Sequence, residues 1–217
     1  MFLPLTAVGH GGKLVTLSTF KQAYTNNRWL NNDAEYTVAA GYNWLRQTAP
    51  KVVWRYVCWN RLNVPKHSFI FWAWMHHKLL TKDRLIAMGL QVDGQCDLCM
   101  AAPESHEHLL CDCVFSRKCL KILHDIISVQ FPLKDLVVWY KNRRGKYKLV
   151  RNYIGACHVA LMYALWKARN EARMNQVVPR PEAIISQLRR DIKARLLRMN
   201  ASTMKPSDCR WLTNLDN

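Results

Sequence analysis

Four cysteines and two histidines lie within the eighteen residues from Cys96 to Cys113. Cys96 and Cys99 form a C-x2-C pair, and this spacing lets two thiolates from one tight turn reach the same tetrahedral ion. The residues that can supply a second pair are His106, His108, Cys111 and Cys113. Metal coordination can supply on the order of 10 kcal/mol of folding free energy. The cluster therefore predicts a small region folded around one metal ion.

The identity of the fourth ligand is open at this point. His108 with Cys113 gives the pattern C-x2-C-x8-H-x4-C, which pairs two ligands on each side of a loop. Cys111 lies three residues after His108 and would share its helix face, whereas Cys113 requires the helix to end or bend. Three thiolates and one imidazole fill a tetrahedral zinc site, and catalytic zinc keeps one position for water. The predicted site is therefore structural.

The other cysteines predict a reducing compartment. Cys58, Cys119, Cys157 and Cys209 stand singly in apolar or terminal surroundings, as simple thiols do. The start of the chain, "MFLPLTAVGH", has no basic region and no small-residue cleavage site, so we do not expect a signal peptide. No apolar run approaches the ~20 residues of a membrane span. We expect the nucleus or the cytoplasm, with no membrane partner.

The hydrophobic pattern before the cluster predicts helices. Pro65 opens a helix over residues 66–80 that has apolar residues on nearly every face, so we expect it to be buried. Thr81 suits the N-cap of the next short helix, and Gly89 suits its left-handed end. A short strand is predicted at residues 36–38, and Gly11-Gly12 is predicted to be a turn.

Three further helices are predicted after the cluster, at residues 116–131, 149–173 and 181–199. The last one has two distinct sides. Its apolar side consists of Ile184, Leu188, Ile192, Leu196 and Met199, and its cationic side of Arg189, Arg190 and Lys193. The predicted fold is mainly α, a small helical domain with a structural zinc site followed by basic helices.

Positive charge is concentrated in the last third of the chain. The chain has 32 Lys and Arg against 15 Asp and Glu, a net charge of +17. Residues 141–200 hold fifteen of these basic residues and three acidic ones, a net +12, whereas residues 1–140 hold fifteen and ten, only +5. Such a surface suits a polyanion, although a solvated helical face is the alternative. The predicted phosphate contacts are Lys141, Arg143, Arg144, Lys146, Lys148, Arg189, Arg190 and Lys193. Trp139 and Tyr140 either stack on unpaired bases or belong to the core.

The order of these features resembles the zinc-binding region downstream of reverse transcriptase in plant non-LTR, LINE-type retroelements. The likeness covers roughly residues 36–120 and rests on "YTVAAGYNWL", "VVWRYVCWNRLNVPKHSFIFWAWMHHKLLTKDRL", "CDLC" and "ESHEHLLCDC". "WKARN", residues 166–170, resembles a piece that often follows this region. The resemblance implies one structural Zn²⁺ on Cys96, Cys99, His108 and Cys113. Glu104 stands at the family's acidic position, where we expect it to support a ligand or a nearby backbone amide, or else to lie exposed in a loop.

The resemblance also implies a domain order, with an unassigned segment at residues 1–34. A reverse-transcriptase-type zinc-binding domain follows at 35–120, and a basic helical region at 121–217. No Asp-Asp pair of the polymerase palm occurs, and no set of spaced carboxylates suits two-metal nuclease chemistry, so we do not expect an enzyme.

The leading functional hypothesis is a non-catalytic module that binds RNA or DNA beside a reverse transcriptase polymerase domain, as the resemblance implies. The alternative is a scaffolding module that docks on a polymerase or another protein. A zinc hydrolase is a third hypothesis, and it would need an open ligand position with Glu107 or His106 as general base.

Overall fold

A computed structural model describes residues 7–8, 14–15, 52–127, 133–142 and 148–198. The fold is mainly helical in these residues, as the sequence predicts. None of the helices among them is both long enough and apolar enough to cross a bilayer.

The chain divides into two compact units, Met1–Lys51 and Val52–Asn217. In the first unit, β1 (Ala7–Val8) pairs antiparallel with β2 (Leu14–Val15). The predicted turn between these strands and the predicted strand at residues 36–38 lie outside the described residues.

The second unit contains the Cys/His cluster and the helices. These are α1 (Arg55–Cys58), α2 (Pro65–Met75), α3 (Lys82–Ala87), α4 (Val114–Ile127), α5 (Leu136–Asn142), α6 (Lys148–Asn175) and α7 (Pro181–Leu197). A π-helical turn at His108–Asp112 precedes α4, and a 3-10 turn at Leu133–Asp135 precedes α5. The predicted long helix and last helix are confirmed, as α6 and α7, within two residues of their predicted bounds.

Helix α6 is at the centre of the second unit. It contacts α1, α2, α4, α5 and α7, so its side chains are covered from several directions. Leu161, Met162 and Leu165 are fully buried in this core. Helix α7 packs its predicted apolar side inward, and Leu188, Ile192 and Leu196 are buried there. Met199 lies outside the described residues.

Helix α2 departs from the prediction in length and in burial. It ends at Met75 rather than near residue 80, and His77 adopts a left-handed φ of 51° just beyond the end. Phe71 is fully buried, but Phe69 is 59% exposed. The expectation of a buried helix is therefore wrong for part of its surface. Among the described elements α2 packs mainly on α6 and α1, which cover one side, and Phe69 stacks on Trp72 with ring centroids 5.8 Å apart.

Two buried histidines that the sequence analysis did not single out join α4 to α6. The Nε2 atoms of His124 and His158 lie 3.0 Å apart, and Nδ1 of His158 lies 2.7 Å from the carbonyl oxygen of Ile154. Because a carbonyl only accepts, Nδ1 of His158 carries the proton, and its Nε2 accepts from His124. Burial lowers the pKa of His158 to about 3. His158 is therefore the neutral imidazole that accepts in this pair.

Candidate metal centre

The four residues that the resemblance implies as ligands come together at one point. The donor atoms of Cys96, Cys99, His108 and Cys113 all lie within 4.8 Å of one another. The Sγ atoms of Cys96 and Cys113 are 3.9 Å apart, and Sγ of Cys99 is 3.4 Å from Nε2 of His108. A tetrahedral zinc ion with ordinary bond lengths places two sulfurs about 3.8 Å apart and a sulfur and a nitrogen about 3.6 Å apart. The donor set therefore fits one structural zinc ion.

A short backbone turn positions the first two ligands. The N–H of Met100 donates to the carbonyl oxygen of Cys96 at 2.8 Å, and the N–H of Cys96 donates to that of Ala102 at 2.9 Å. Met100 has a left-handed φ of 53°, which reverses the chain directly after the second ligand. An isolated antiparallel bridge between Gln95 and Pro103 closes the base of this turn. Backbone hydrogen bonds thus define the turn that carries both thiols.

The π-helical turn explains why Cys113 and not Cys111 joins the cluster. The N–H of Cys113 donates to the carbonyl oxygen of His108 at 2.7 Å, an i to i+5 bond that makes the turn wider than an α-helical one. The wider turn brings the residue five positions on back to the side of His108. Cys111 is half-buried outside the cluster, and burial together with the Asp112 carboxylate raises its pKa to about 11. This local geometry selects Cys113 rather than Cys111 as the fourth donor, which the spacing alone left open.

The two buried thiols of the cluster hydrogen-bond to each other. This bond raises the pKa of Cys96 and lowers the pKa of Cys113. One thiolate is therefore favoured at Cys113, and a zinc ion would take the place of the remaining shared proton. Zinc binding at such a site releases protons, so its affinity falls in acid.

Glu104 is 1% exposed, so the alternative of an exposed loop acid is wrong. Its Oε1 accepts from the N–H of Lys82 at 2.9 Å, and its carbonyl oxygen accepts from the N–H of Asp83 at 3.3 Å. The expected support of a nearby backbone amide is confirmed, because Glu104 satisfies the free N–H groups at the start of α3. Thr81 occupies the predicted N-cap position but makes no capping hydrogen bond with its side chain. The carboxylate of Glu104 therefore caps α3 in place of the Thr81 hydroxyl.

Arg169 from the "WKARN" segment forms an ion pair with Glu104. Its Nε lies 3.1 and 3.0 Å from the two carboxylate oxygens, and its Nη2 lies 2.5 Å from Oε1. The arginine side chain is 4% exposed and the glutamate side chain is 0% exposed. Nε also lies 3.8 Å from Oδ2 of Asp97, which stands between Cys96 and Cys99. Helix α6 therefore contacts the turn that carries the ligands.

Lys82 forms a second buried ionic contact with the same turn. Its Nζ lies 2.6 Å from Oδ1 of Asp97, 3.0 Å from Oδ2 of Asp93 and 2.7 Å from the carbonyl oxygen of Gln95. Burial lowers the pKa of Lys82, but the hydrogen bonds to Asp97 and Asp93 outweigh it and the net pKa is raised. We call the set Lys82, Asp93, Asp97, Glu104 and Arg169 the turn network. The sequence analysis did not predict Lys82 or Arg169 as part of the site, although the likeness of "WKARN" pointed to the segment that contains Arg169.

The two candidate general bases lie outside the donor set. The His106 ring stacks on Trp74 at 5.9 Å and lies 4.4 Å from the His77 ring. Burial and the neighbouring His77 lower the pKa of His106 to about 4. Glu107 is exposed.

The predicted phosphate contacts are only partly within the described residues. Lys141 is exposed in the last turn of α5. The exposed cations of α7 are Arg189, Arg190 and Lys193. Arg143, Arg144, Lys146 and the side chain of Lys148 lie outside the described residues. Trp139 is half-buried, and Tyr140 is only 6% exposed and donates to Oδ1 of Asn152 at 2.6 Å, which makes it a core residue.

Residues 36–119 match a protein family described as zinc-binding in reverse transcriptase. The matched segment contains all four donors together with Lys82 and Glu104, and it covers less than half of the chain. No curated protein and no solved structure matches the chain. The match and the donor geometry together support a reverse-transcriptase-associated zinc-binding region with one structural zinc site.

Proposed function

We propose that the chain is a non-catalytic module of a plant non-LTR, LINE-type retroelement reverse transcriptase, which holds template RNA or target DNA through phosphate contacts. The observation that carries this proposal is the placement of charge. Helix α7 buries its apolar side against its neighbours and turns Arg189, Arg190 and Lys193 to solvent. These residues belong to the segment 141–200, whose net charge is +12. The module would act in the nucleus or the cytoplasm beside a polymerase domain.

The zinc ion has an indirect part in this proposal. Three thiolates and one imidazole leave no position for substrate or water, so the ion would be structural and would hold the turn that the turn network contacts. That network anchors α6, and α7 packs on α6. Zinc would thus hold the cationic helix in place rather than contact nucleic acid. Binding would follow from release of counterions when Lys and Arg neutralise phosphates.

The test is a salt titration of binding to labelled single-stranded RNA, single-stranded DNA and duplex DNA, measured by fluorescence anisotropy. The logarithm of the affinity should fall linearly with the logarithm of salt, by about 0.9 per neutralised phosphate on duplex DNA and about 0.7 on single strands. The variant Arg143→Glu/Arg144→Glu/Arg189→Glu should lose most of the affinity. Lys121→Glu, an exposed change on α4 outside the basic segment, is the control for reversal of a single charge.

Zinc content and circular dichroism of each variant establish that it is folded. A salt-independent affinity would exclude phosphate binding. An unchanged affinity of the triple variant would exclude the basic segment as the surface that binds nucleic acid.

A second candidate function is docking on a polymerase or another protein. It is favoured by the apolar side chains exposed at the end of α3, where Ile86 is 48%, Met88 62% and Leu90 51% exposed. An apolar interface responds little to salt. Binding of a polymerase domain that is salt-independent and lost in Met88→Ser/Leu90→Ser would favour this function over the first.

A further inference from the structure

A cleft of about 440 Å³ opens beside α1, and none of the zinc ligands lines it. Its lining consists of Arg55, Arg61, Arg151, Tyr56, Trp59, Tyr140, Asn60 and Asn152. Three arginines and three aromatic residues thus line the cleft, and none of these eight residues is acidic. Trp59 is 65% exposed and Tyr56 is 46% exposed, so two rings are open to solvent. The other lining aromatic, Tyr140, forms part of the floor.

The floor of the cleft is held by buried hydrogen bonds. Nδ2 of Asn60 donates to the carbonyl oxygen of Asn152 at 2.6 Å, and Oδ1 of Asn60 accepts from the N–H of Leu62 at 3.1 Å. The first bond joins the loop that carries Trp59 to α6, and the second lies within the loop. Gly155 allows the close packing, because a Cβ there would stand 3.1 Å from the Tyr140 ring. The exposed tryptophan is therefore presented by a rigid loop.

Two arginines of the cleft lie against its tyrosine rings. The Arg55 guanidinium lies 4.4 Å from the centre of the Tyr56 ring and hydrogen-bonds its hydroxyl, and the Arg151 guanidinium lies 4.6 Å from the centre of the Tyr140 ring. Stacking on a ring holds a guanidinium in one orientation, and a planar guanidinium can bind a phosphate through two parallel N–H groups. Arg61 also lines the cleft and is exposed.

We propose that this cleft binds a single-stranded segment of nucleic acid, with one base stacked on Trp59 and the flanking phosphates at Arg55 and Arg61. This assignment rests on the proposed function and adds the location and the strandedness of the ligand. Bases of a duplex already stack on each other, whereas an unpaired base can present its face to an exposed ring. The combination of an exposed tryptophan with cations and no lining acid favours a nucleic acid over an apolar protein surface.

The first test compares Trp59→Ala with Trp59→Phe and with the control Phe69→Ala, another exposed aromatic residue of the second unit. Affinities for labelled oligouridylate, oligothymidylate and a blunt DNA duplex are measured by anisotropy. Trp59→Ala should weaken single-strand binding by about 5- to 150-fold, the range for loss of one stacked base. Trp59→Phe should retain most of the affinity. Duplex binding and the salt slope of Trp59→Ala should not change, because no charge is removed.

The second test addresses the phosphates. Arg61→Gln should lower the single-strand salt slope by about 0.7, the contribution of one phosphate. Lys121→Gln should leave the slope unchanged. An unchanged slope in Arg61→Gln would remove that residue from the site.

The outcomes separate this assignment from the proposed function. If the wild type binds no nucleic acid, both fail. If the wild type binds with a steep salt dependence but Trp59→Ala binds as tightly as Phe69→Ala, only the cleft assignment fails. Equal weakening of duplex and single-strand binding in Trp59→Ala would also overturn base stacking, and binding of an acidic peptide instead would assign the cleft to a protein.

Discussion

Replacement of Arg169 by Met should destabilise the zinc-loaded protein strongly. The change keeps most of the side-chain volume on α6 but removes the cation from Glu104, whose side chain is 0% exposed. Loss of one partner from a buried ion pair costs about 3–5 kcal/mol, because the remaining charge has no compensation. Glu104 would still accept from the N–H of Lys82, so we expect a cost near the lower end of that range.

The same helix provides the matched control. Lys167 forms an ion pair with Glu171 at 3.3 Å, with side chains 61% and 41% exposed. Exposed pairs at this spacing contribute only about 0.3–0.5 kcal/mol. Lys167→Met should therefore cost several times less than Arg169→Met in urea unfolding followed by circular dichroism at a fixed zinc concentration.

A double variant tests the physical reason. Glu104→Gln/Arg169→Met removes both charges but keeps an amide oxygen that can accept from Lys82. Its loss of unfolding free energy should be smaller than the sum of the two single losses. If Arg169→Met lowers the free energy of unfolding no more than Lys167→Met, or if the two single losses simply add, the ion pair does not stabilise the fold.

Three further predictions concern the zinc ion, its surroundings and pH. Cys113→Ser should lose the zinc ion or hold it much more weakly, while Cys111→Ser should keep one equivalent of zinc. Metal analysis and cobalt absorption check this, and equal loss of metal from both variants would contradict the donor set. Lys82→Met should weaken zinc binding by about 10- to 100-fold in a chelator competition, because the lysine orients the turn between the first ligands; an unchanged affinity would show that it does not. Burial lowers the pKa of His158 from 6.5 to about 3, so the unfolded chain takes up a proton that the native chain excludes, and stability falls as the pH drops below 6.5. About one unit below that pH the loss from this group is about 1.4 kcal/mol, and His158→Gln should lack it in urea unfolding across pH; an equal pH dependence in both proteins would refute the assignment.

The parts of the structure that the sequence predicts are those that depend on local spacing. The C-x2-C pair and the cysteine and histidine that follow lie within eighteen residues, so their meeting requires only a turn and a helix end. The apolar side of α7 follows directly from residues that recur with the helical period. Gly89 ends α3 with a φ of 84°, as its position indicates.

The parts that the sequence does not predict depend on contacts between distant segments. Glu104 and Arg169 are 65 residues apart, and no periodicity links them. Thr81 has the chemistry of an N-cap, but the carboxylate from another segment makes the stronger bond to the first turn of α3. Phe69 is exposed because, within the described residues, the tertiary arrangement covers mainly the side of α2 that faces α6 and α1.

The zinc ligands and the turn network close chain segments of different length, so their contacts can form at different times during synthesis. Cys96 and Cys113 are 17 residues apart, whereas the contact of Glu104 with Arg169 closes a segment of 65 residues. The entropy of closing the longer loop is larger by about 1.2 kcal/mol, and its arginine leaves the ribosome much later. Metal binding can therefore come first. Glu104 then lacks its contact with Arg169 until α6 has been translated. In refolding with cobalt, thiolate absorption should rise before the amides of α6 become protected from hydrogen exchange.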